Sequence, residues 1–312
     1  MTMVCVAIGG ATAMVSCSPG DRESIGAERS GGVPTLSGDS RPRVRVVSLM
    51  PAATEILFAI GAGDRLVGRT RWGVHPPRAA DVPSVGDGVR PSLEAVLAVR
   101  PDLVVLFEGS DTQGVADRLR ALGIATVALR HNTLHDLERN VMALGEAVGC
   151  VEAAAELNER IRGDLRAVAD AVRPTTRVRV YYDVWADPPI TVGQGSFLDS
   201  LLTLAGAENV FGDLGPAAPQ VGLETIVQRD PDVIVHPVTS LPGGVGPPPD
   251  ERPRWKLIPA VAEGRVLTVD ADLLGRLGPR IGQAAGTLAS ALWPGIEMPE
   301  AASGPLEAEC SP

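Results

Sequence analysis

A long helical stretch set in the middle of an alternating α/β chain constrains this sequence more than any other feature. From Leu134 to Val148 and from Val151 to Val172 the apolar residues step by threes and fours. Leu134, Leu137, Val141, Leu144 and Val148 form one stripe, and Leu157, Ile161, Leu165, Val168 and Val172 form another. That period buries one face of each helix. No proline interrupts the run before Pro174. On either side the pattern is different: short β-branched runs alternate with short helices. VRVVSL from Val44, DLVVLF at 102–107 and ATVAL at 125–129 read as strands, with helices over 51–60, 93–99 and 112–122. After Pro174 the alternation resumes with VRVYYDV at 178–184 and runs to a helix ending near Trp293. Such alternation predicts parallel sheets wrapped by helices, and the central helix then becomes a spine between two lobes.

The second half echoes the first. LEAVLAVRPDLVV at 93–105 and LETIVQRDPDVIV at 223–235 lie 130 residues apart, each placing Pro-Asp at the start of an apolar strand. GAGDRLVG at 61–68 and AGAENVFG at 205–212 are a looser pair. A period this long is not that of a solenoid; it suggests two similar lobes. The expected division is a 44–132 lobe, a 133–173 helical segment and a 174–297 lobe, followed by a disordered 298–312 tail.

The N-terminus reads as an export signal. An apolar stretch, TMVCVAIGGATAMVS, ends in small residues before Cys17, and a Gly/Ser/Pro-rich run follows to Arg43. This is the layout of a 1–17 signal peptide with an 18–43 disordered tether. Met14-Val15-Ser16-Cys17 resembles a bacterial lipobox, which would make Cys17 the acylated residue and the membrane anchor. It departs from that pattern in Met14 and in lacking a basic residue ahead of the apolar run. The cysteines Cys5, Cys17, Cys150 and Cys310 show no Cys-x-x-Cys spacing, so no metal or redox motif is read from them. Whether Cys150 and Cys310 pair is left open. The net charge of −10 argues against a nucleic-acid partner, which needs a surplus of Lys and Arg.

RVVSLMPAATEILFAIGAGDRLVG, the His-Pro-Pro at 75–77, ITVGQGSFLDSLLTLAGAENVF, PQVGLETIVQRDPDVIV and GPRI at 278–281 together resemble the helical-backbone (class III) substrate-binding proteins of ABC importers. The resemblance covers nearly all of 43–295 and is nearest to the cobalamin-binding branch. It implies an α/β fold of two Rossmann-like lobes joined by one long backbone helix, with ligand held in a shallow interlobe cleft. Trp72, Phe107 and Asp272 match positions that contact ligand in that branch; Trp185 and Arg276 are added as candidates from their places near strand ends, and Arg71 as a cation for anionic ligand groups. Ala218 and Leu273 stand where tryptophans are expected. Glu94 and Glu224 match the acidic residues that dock on permease arginines, and each also sits where acid favours a helix N-terminus. The expected protein is an exported, lipid-anchored monomer serving a permease and its ATPase, with no resident cofactor or metal.

Two alternatives keep the same fold. Haem would take Tyr181, Tyr182 or a histidine as axial ligand, and an iron–siderophore would pair with Arg69, Arg71 and Arg276. Direct zinc binding by His131 and His135 is weaker, because His75 and His236 form no cluster with them; solvated histidines at a helix start are the simpler reading. An exported enzyme is the alternative from another class, but GxSxG, P-loop and HExxH motifs are absent, and the Gly-rich 61–68 segment follows a helix rather than a strand. A structural surface lipoprotein would explain the anchor but not the cleft residues.

Overall fold

The computed structural model describes residues 43–88, 91–172, 177–215, 218–239, 246–298 and Cys310. The export signal, Cys17 and most of the tether lie outside the described residues.

The N-terminal lobe runs β1 (Val46–Ser48), α1 (Pro51–Ala59), β2 (Leu66–Arg69), α2 (Leu93–Ala98), β3 (Leu103–Phe107), α3 (Ser110–Ala121) and β4 (Ala125–Leu129). Next come α4 (Leu134–Val148) and α5 (Val151–Ala171). The C-terminal lobe contains β5 (Val178–Tyr182), β6 (Trp185–Ala186), β7 (Pro189–Ile190), α6 (Phe197–Leu204), β8 (Ala207–Asn209), α7 (Leu223–Arg229) and β9 (Val233–Val238). It ends with α8 (Pro259–Ala262), β10 (Val266–Asp270), α9 (Ala271–Leu274) and α10 (Ile281–Leu292).

Each lobe holds a parallel four-stranded sheet, ordered β2-β1-β3-β4 in the first and β8-β5-β9-β10 in the second. The two orders are the same once strands are matched in chain sequence, so the sequence echo is also a repeat of topology. Its local chemistry repeats too. Arg100 and Asp230, 130 residues apart, are non-glycine residues with φ of 47° and 44°, each followed by Pro-Asp. Asp102 then accepts the Arg45 backbone N–H at 2.9 Å, and Asp232 accepts that of Arg179 at 2.8 Å.

The spine is two helices. A capping box between Thr133 and Asp136 starts α4, and Gly149, at φ 73°, ends it. There a left-handed turn costs glycine little. The 21-residue α5 buries Ala153, Ala154, Leu157, Asn158, Ile161 and Val168. It packs against α4 where Gly145 leaves room for the Ala154 methyl, and against α10 where Gly282 leaves room for Asp164. A side chain at either glycine would overlap its neighbour, so the helix crossings are close. Cys150, at the start of α5, forms a disulfide with Cys310, which holds that residue at the spine; most of the 298–312 tail expected to be disordered lies outside the described residues. Disulfides form and persist in oxidising environments, in keeping with the expected export of the chain.

Candidate functional site

Both sheets have a topological switch point, between β1 and β3 in the first lobe and between β5 and β9 in the second. Ligand crevices form there, outside the carboxyl ends of the strands. A cavity of about 330 Å³ opens at the first, lined by Met50, Pro51, Thr70, Trp72, Phe107 and His131 from the N-terminal lobe, and by Gly275 and Arg276 from the C-terminal lobe. Its position follows from local folding. Pro51 starts α1 directly after β1, Phe107 ends β3, and His131 follows β4.

Of the candidates read from sequence, Trp72, Phe107 and Arg276 come together here. Arg71 does not line the cavity. Its guanidinium stacks over the Trp72 ring, 4.6 Å from the centroid, and donates to Asp87 at 3.0 Å. The stack covers one face of the indole. Asp272 does not line the cavity but bonds to Arg276, which does. It accepts from Arg276 at 2.9 Å and from the Thr239 hydroxyl at 3.1 Å. Trp185 stands apart on the β6–β7 hairpin, 41% exposed, its indole N–H donating to the Asp187 carbonyl. Leu273 is packed into the core, while Ala218 is exposed. Glu94 and Glu224 are exposed in the first turns of α2 and α7; Glu224 accepts from Arg254 at 3.2 Å.

Three expectations are corrected. Tyr181 and Tyr182 are buried at 0% and 2% exposure. Tyr181 packs edge-on against Phe211 and Trp255, and Tyr182 joins the main core on the opposite face of the sheet. Burial and nearby Asp183 push both phenols far above their ordinary range, so neither is available to a metal. Arg69 is also buried, its guanidinium donating to the carbonyls of Thr70, Ala79 and Ala80. It braces a loop and does not face ligand. His131 is not a solvated histidine. Its ring lies edge-on between Phe107 and Phe197, with centroids at 5.8 and 5.5 Å, and Nδ1 is buried without a partner. Burial lowers its pKa, opposed by a hydrogen bond to the Gly275 backbone and by Asp136. His135, four residues on, is exposed; the two imidazoles do not share an environment.

One polar cluster touches the cavity through Arg276, and a second lies at the other switch point. Glu55 of α1, 3% exposed, accepts both arms of Arg280 at 2.8 and 2.9 Å and a longer bond from Arg276 at 3.4 Å. At the second switch point Asp183 is fully buried and accepts two hydrogen bonds from Arg252, at 3.0 and 2.5 Å, with His236 Nδ1 at 2.7 Å. Arg252 also bonds the Pro247 carbonyl and stacks on Trp255. His236 thus does belong to a cluster, one that pairs a buried carboxylate and has no exposed face. At the rim, Arg130 forms two bonds to Glu108, at 3.0 and 3.1 Å, and holds its carboxyl below the usual range.

Residues 46–273 match the periplasmic binding protein family. An ABC transporter substrate-binding lipoprotein of Bacillus subtilis, YvrC, is 31% identical over 258 residues, covering 80% of each chain. A vitamin B12-binding protein of Vibrio cholerae is 29% identical over 255 residues, covering 79% of this chain and 88% of the relative. The periplasmic haem-binding protein RhuT of Roseiflexus superposes with a TM-score of 0.72 at 26% identity, over 82% of this chain and all of the other. The chain therefore belongs to the periplasmic binding protein family, as the substrate-binding component of an ABC transporter and not an enzyme.

Proposed function

We propose that the protein captures cobalamin or a related corrinoid in the interlobe cleft and delivers it to its permease. The observation that carries this reading is the charge state of the cleft. Three arginines at or beside the cavity are each already bound to a carboxylate: Arg71 to Asp87, Arg276 to Asp272 and Glu55, Arg130 to Glu108; Arg69 is buried and bonded to backbone carbonyls. What remains for ligand is aromatic and apolar surface with neutral hydrogen-bonding groups. That suits a macrocycle fringed with uncharged amides. Haem carries two propionates, and ferric siderophores often carry carboxylates; both call for uncommitted cations. A 330 Å³ cavity takes one edge of such a ligand, leaving the rest between the lobe rims.

Haem is the second reading, favoured by the His131 imidazole in the cavity wall and by the fold shared with RhuT. Calorimetric titration of the protein with cyanocobalamin, haemin and a ferric siderophore panel separates them. The corrinoid reading expects saturable 1:1 heat with cyanocobalamin. Binding of haemin or a siderophore with no corrinoid signal would overturn it and leave the transport role standing.

Two further roles rest on the family. Glu94 and Glu224 occupy matching places in the structural repeat, so together they give a two-point electrostatic contact for permease arginines. Cys17 is the site of lipid attachment; incorporation of labelled palmitate should occur in the wild type and vanish in Cys17→Ser.

A further inference from the structure

The backbone helix is not the only link between the lobes. Glu55 lies on α1, against the first sheet, while Arg276 and Arg280 lie between α9 and α10 in the second lobe, more than 220 residues further along the chain. Their contact is nearly closed to solvent: the Glu55 side chain is 2% exposed and those of Arg276 and Arg280 are 12% and 22%. Arg280 presents its fork to the carboxylate in two bonds of 2.8 and 2.9 Å, the geometry that resists rotation as well as separation. Gly278 brings the intervening turn flat against Ala52 and Glu55. Burial opposes the charge on Arg280, yet bonding to Glu55 and the nearby Asp270 and Asp272 carboxylates outweigh it and raise its pKa.

We propose that Glu55 is an interlobe latch: by holding Arg280 rigidly and Arg276 more loosely, it sets the width of the ligand cleft before any ligand arrives. α5 joins the lobes along one side, and the packing of His131 on Phe197 beside it is apolar and carries little directional restraint. A bidentate ion pair on the cleft side supplies that restraint. The two arms have different jobs. Arg280 is the anchor. Arg276, which lines the cavity and bridges Glu55 to Asp272, is positioned by the latch as part of the cleft wall. A buried carboxylate that fixes geometry in this way earns its place through specificity of arrangement more than through stability.

The test is a distance between lobes, measured without ligand, so that its outcome does not depend on which ligand is carried. In the full chain with Cys5 and Cys17 replaced by Ser, spin labels at Arg118→Cys and Glu208→Cys, both exposed, report one distance across the lobes by pulsed electron resonance. The latch predicts a single narrow distribution in the otherwise unchanged chain. Glu55→Gln should broaden it at least twofold, and Glu55→Asp should restore part of the narrowing. Arg280→Lys keeps the charge and loses the fork; it should broaden the distribution too, and it serves if Glu55→Gln does not fold. An unchanged width in folded Glu55→Gln, or in Arg280→Lys where that is the folded variant, overturns the proposal. Cyanocobalamin binding is then followed in the same variants. Cleft broadening with no corrinoid binding in any chain would retain the latch and reject the ligand.

Discussion

Asp102 and Asp232 do the same job in the two lobes. Each follows a proline at the start of a strand and accepts the backbone N–H of an arginine at the beginning of the neighbouring strand, Arg45 just before β1 and Arg179 the second residue of β5. The arginines answer in kind: Arg45 donates to the carbonyls of Val99 and Arg100, and Arg179 to those of Arg229 and Asp230. Both carboxylates are exposed, so each contact contributes modestly. Asp102→Ala and Asp232→Ala should each cost about 1 kcal/mol in urea unfolding. The double variant should lose the sum, since the sites share no partner. Marked non-additivity would mean the two lobes do not behave as independent repeats.

The Cys150–Cys310 disulfide closes a loop with a sequence separation of 160. In the chain-entropy picture such a bridge contributes up to about 5 kcal/mol. Thiol reduction, or Cys310→Ser, should lower the urea midpoint while the rest of the fold persists. Equal midpoints with and without reductant would show that the bridge adds nothing to stability.

The helices, the strands and the repeat were legible because they rest on local period and local caps. The stripe from Leu134 to Val148 needs only its own neighbours to declare a helix, and Pro-Asp at 101–102 and 231–232 marks the strand starts. The cleft was half legible. Trp72 and Phe107 follow strand ends, a rule that acts within one lobe. His131 gives no such signal, because its burial comes from Phe107 of its own lobe and Phe197 of the other, and nothing next to it in sequence marks either. Tyr181 and Tyr182 illustrate a different failure. Adjacent strand residues face opposite ways, and in a parallel sheet covered on both faces neither direction reaches solvent. Glu55 would pass for an ordinary polar helix residue; only the packing of the lobes supplies its arginines.

Acid should loosen the protein through His131 and His75. Burial lowers the pKa of both below 6.5; at His75 the Arg280 and Arg276 charges add to this, with Glu55 opposing. A lowered folded-state pKa means the unfolded chain binds the proton more readily. The stabilising contribution is therefore complete above 6.5 and is lost as the pH falls through the folded values. Tm should be level from about pH 7 to 8 and decline as the pH falls below about 6.5, with a shallower decline in His131→Phe. A decline of equal steepness in His131→Phe and His75→Gln would assign it to other groups.

Glu94→Ala with Glu224→Ala should abolish permease-dependent uptake while leaving ligand affinity unchanged, because both side chains are exposed and outside the cavity lining. The rate of complex formation with the permease should fall more than the lifetime of the complex lengthens or shortens, as expected for rim charges. Equal loss of ligand binding would contradict the docking role.

The most direct measurement is calorimetry of cyanocobalamin binding to the wild type, Trp72→Ala, Phe107→Ala and the double variant. Losing a buried aromatic contact of this kind costs about 1–3 kcal/mol, so each single variant should bind roughly five- to 150-fold more weakly and the double variant more weakly still. Wild-type affinity in the double variant would place the ligand somewhere other than this cleft and contradict the account.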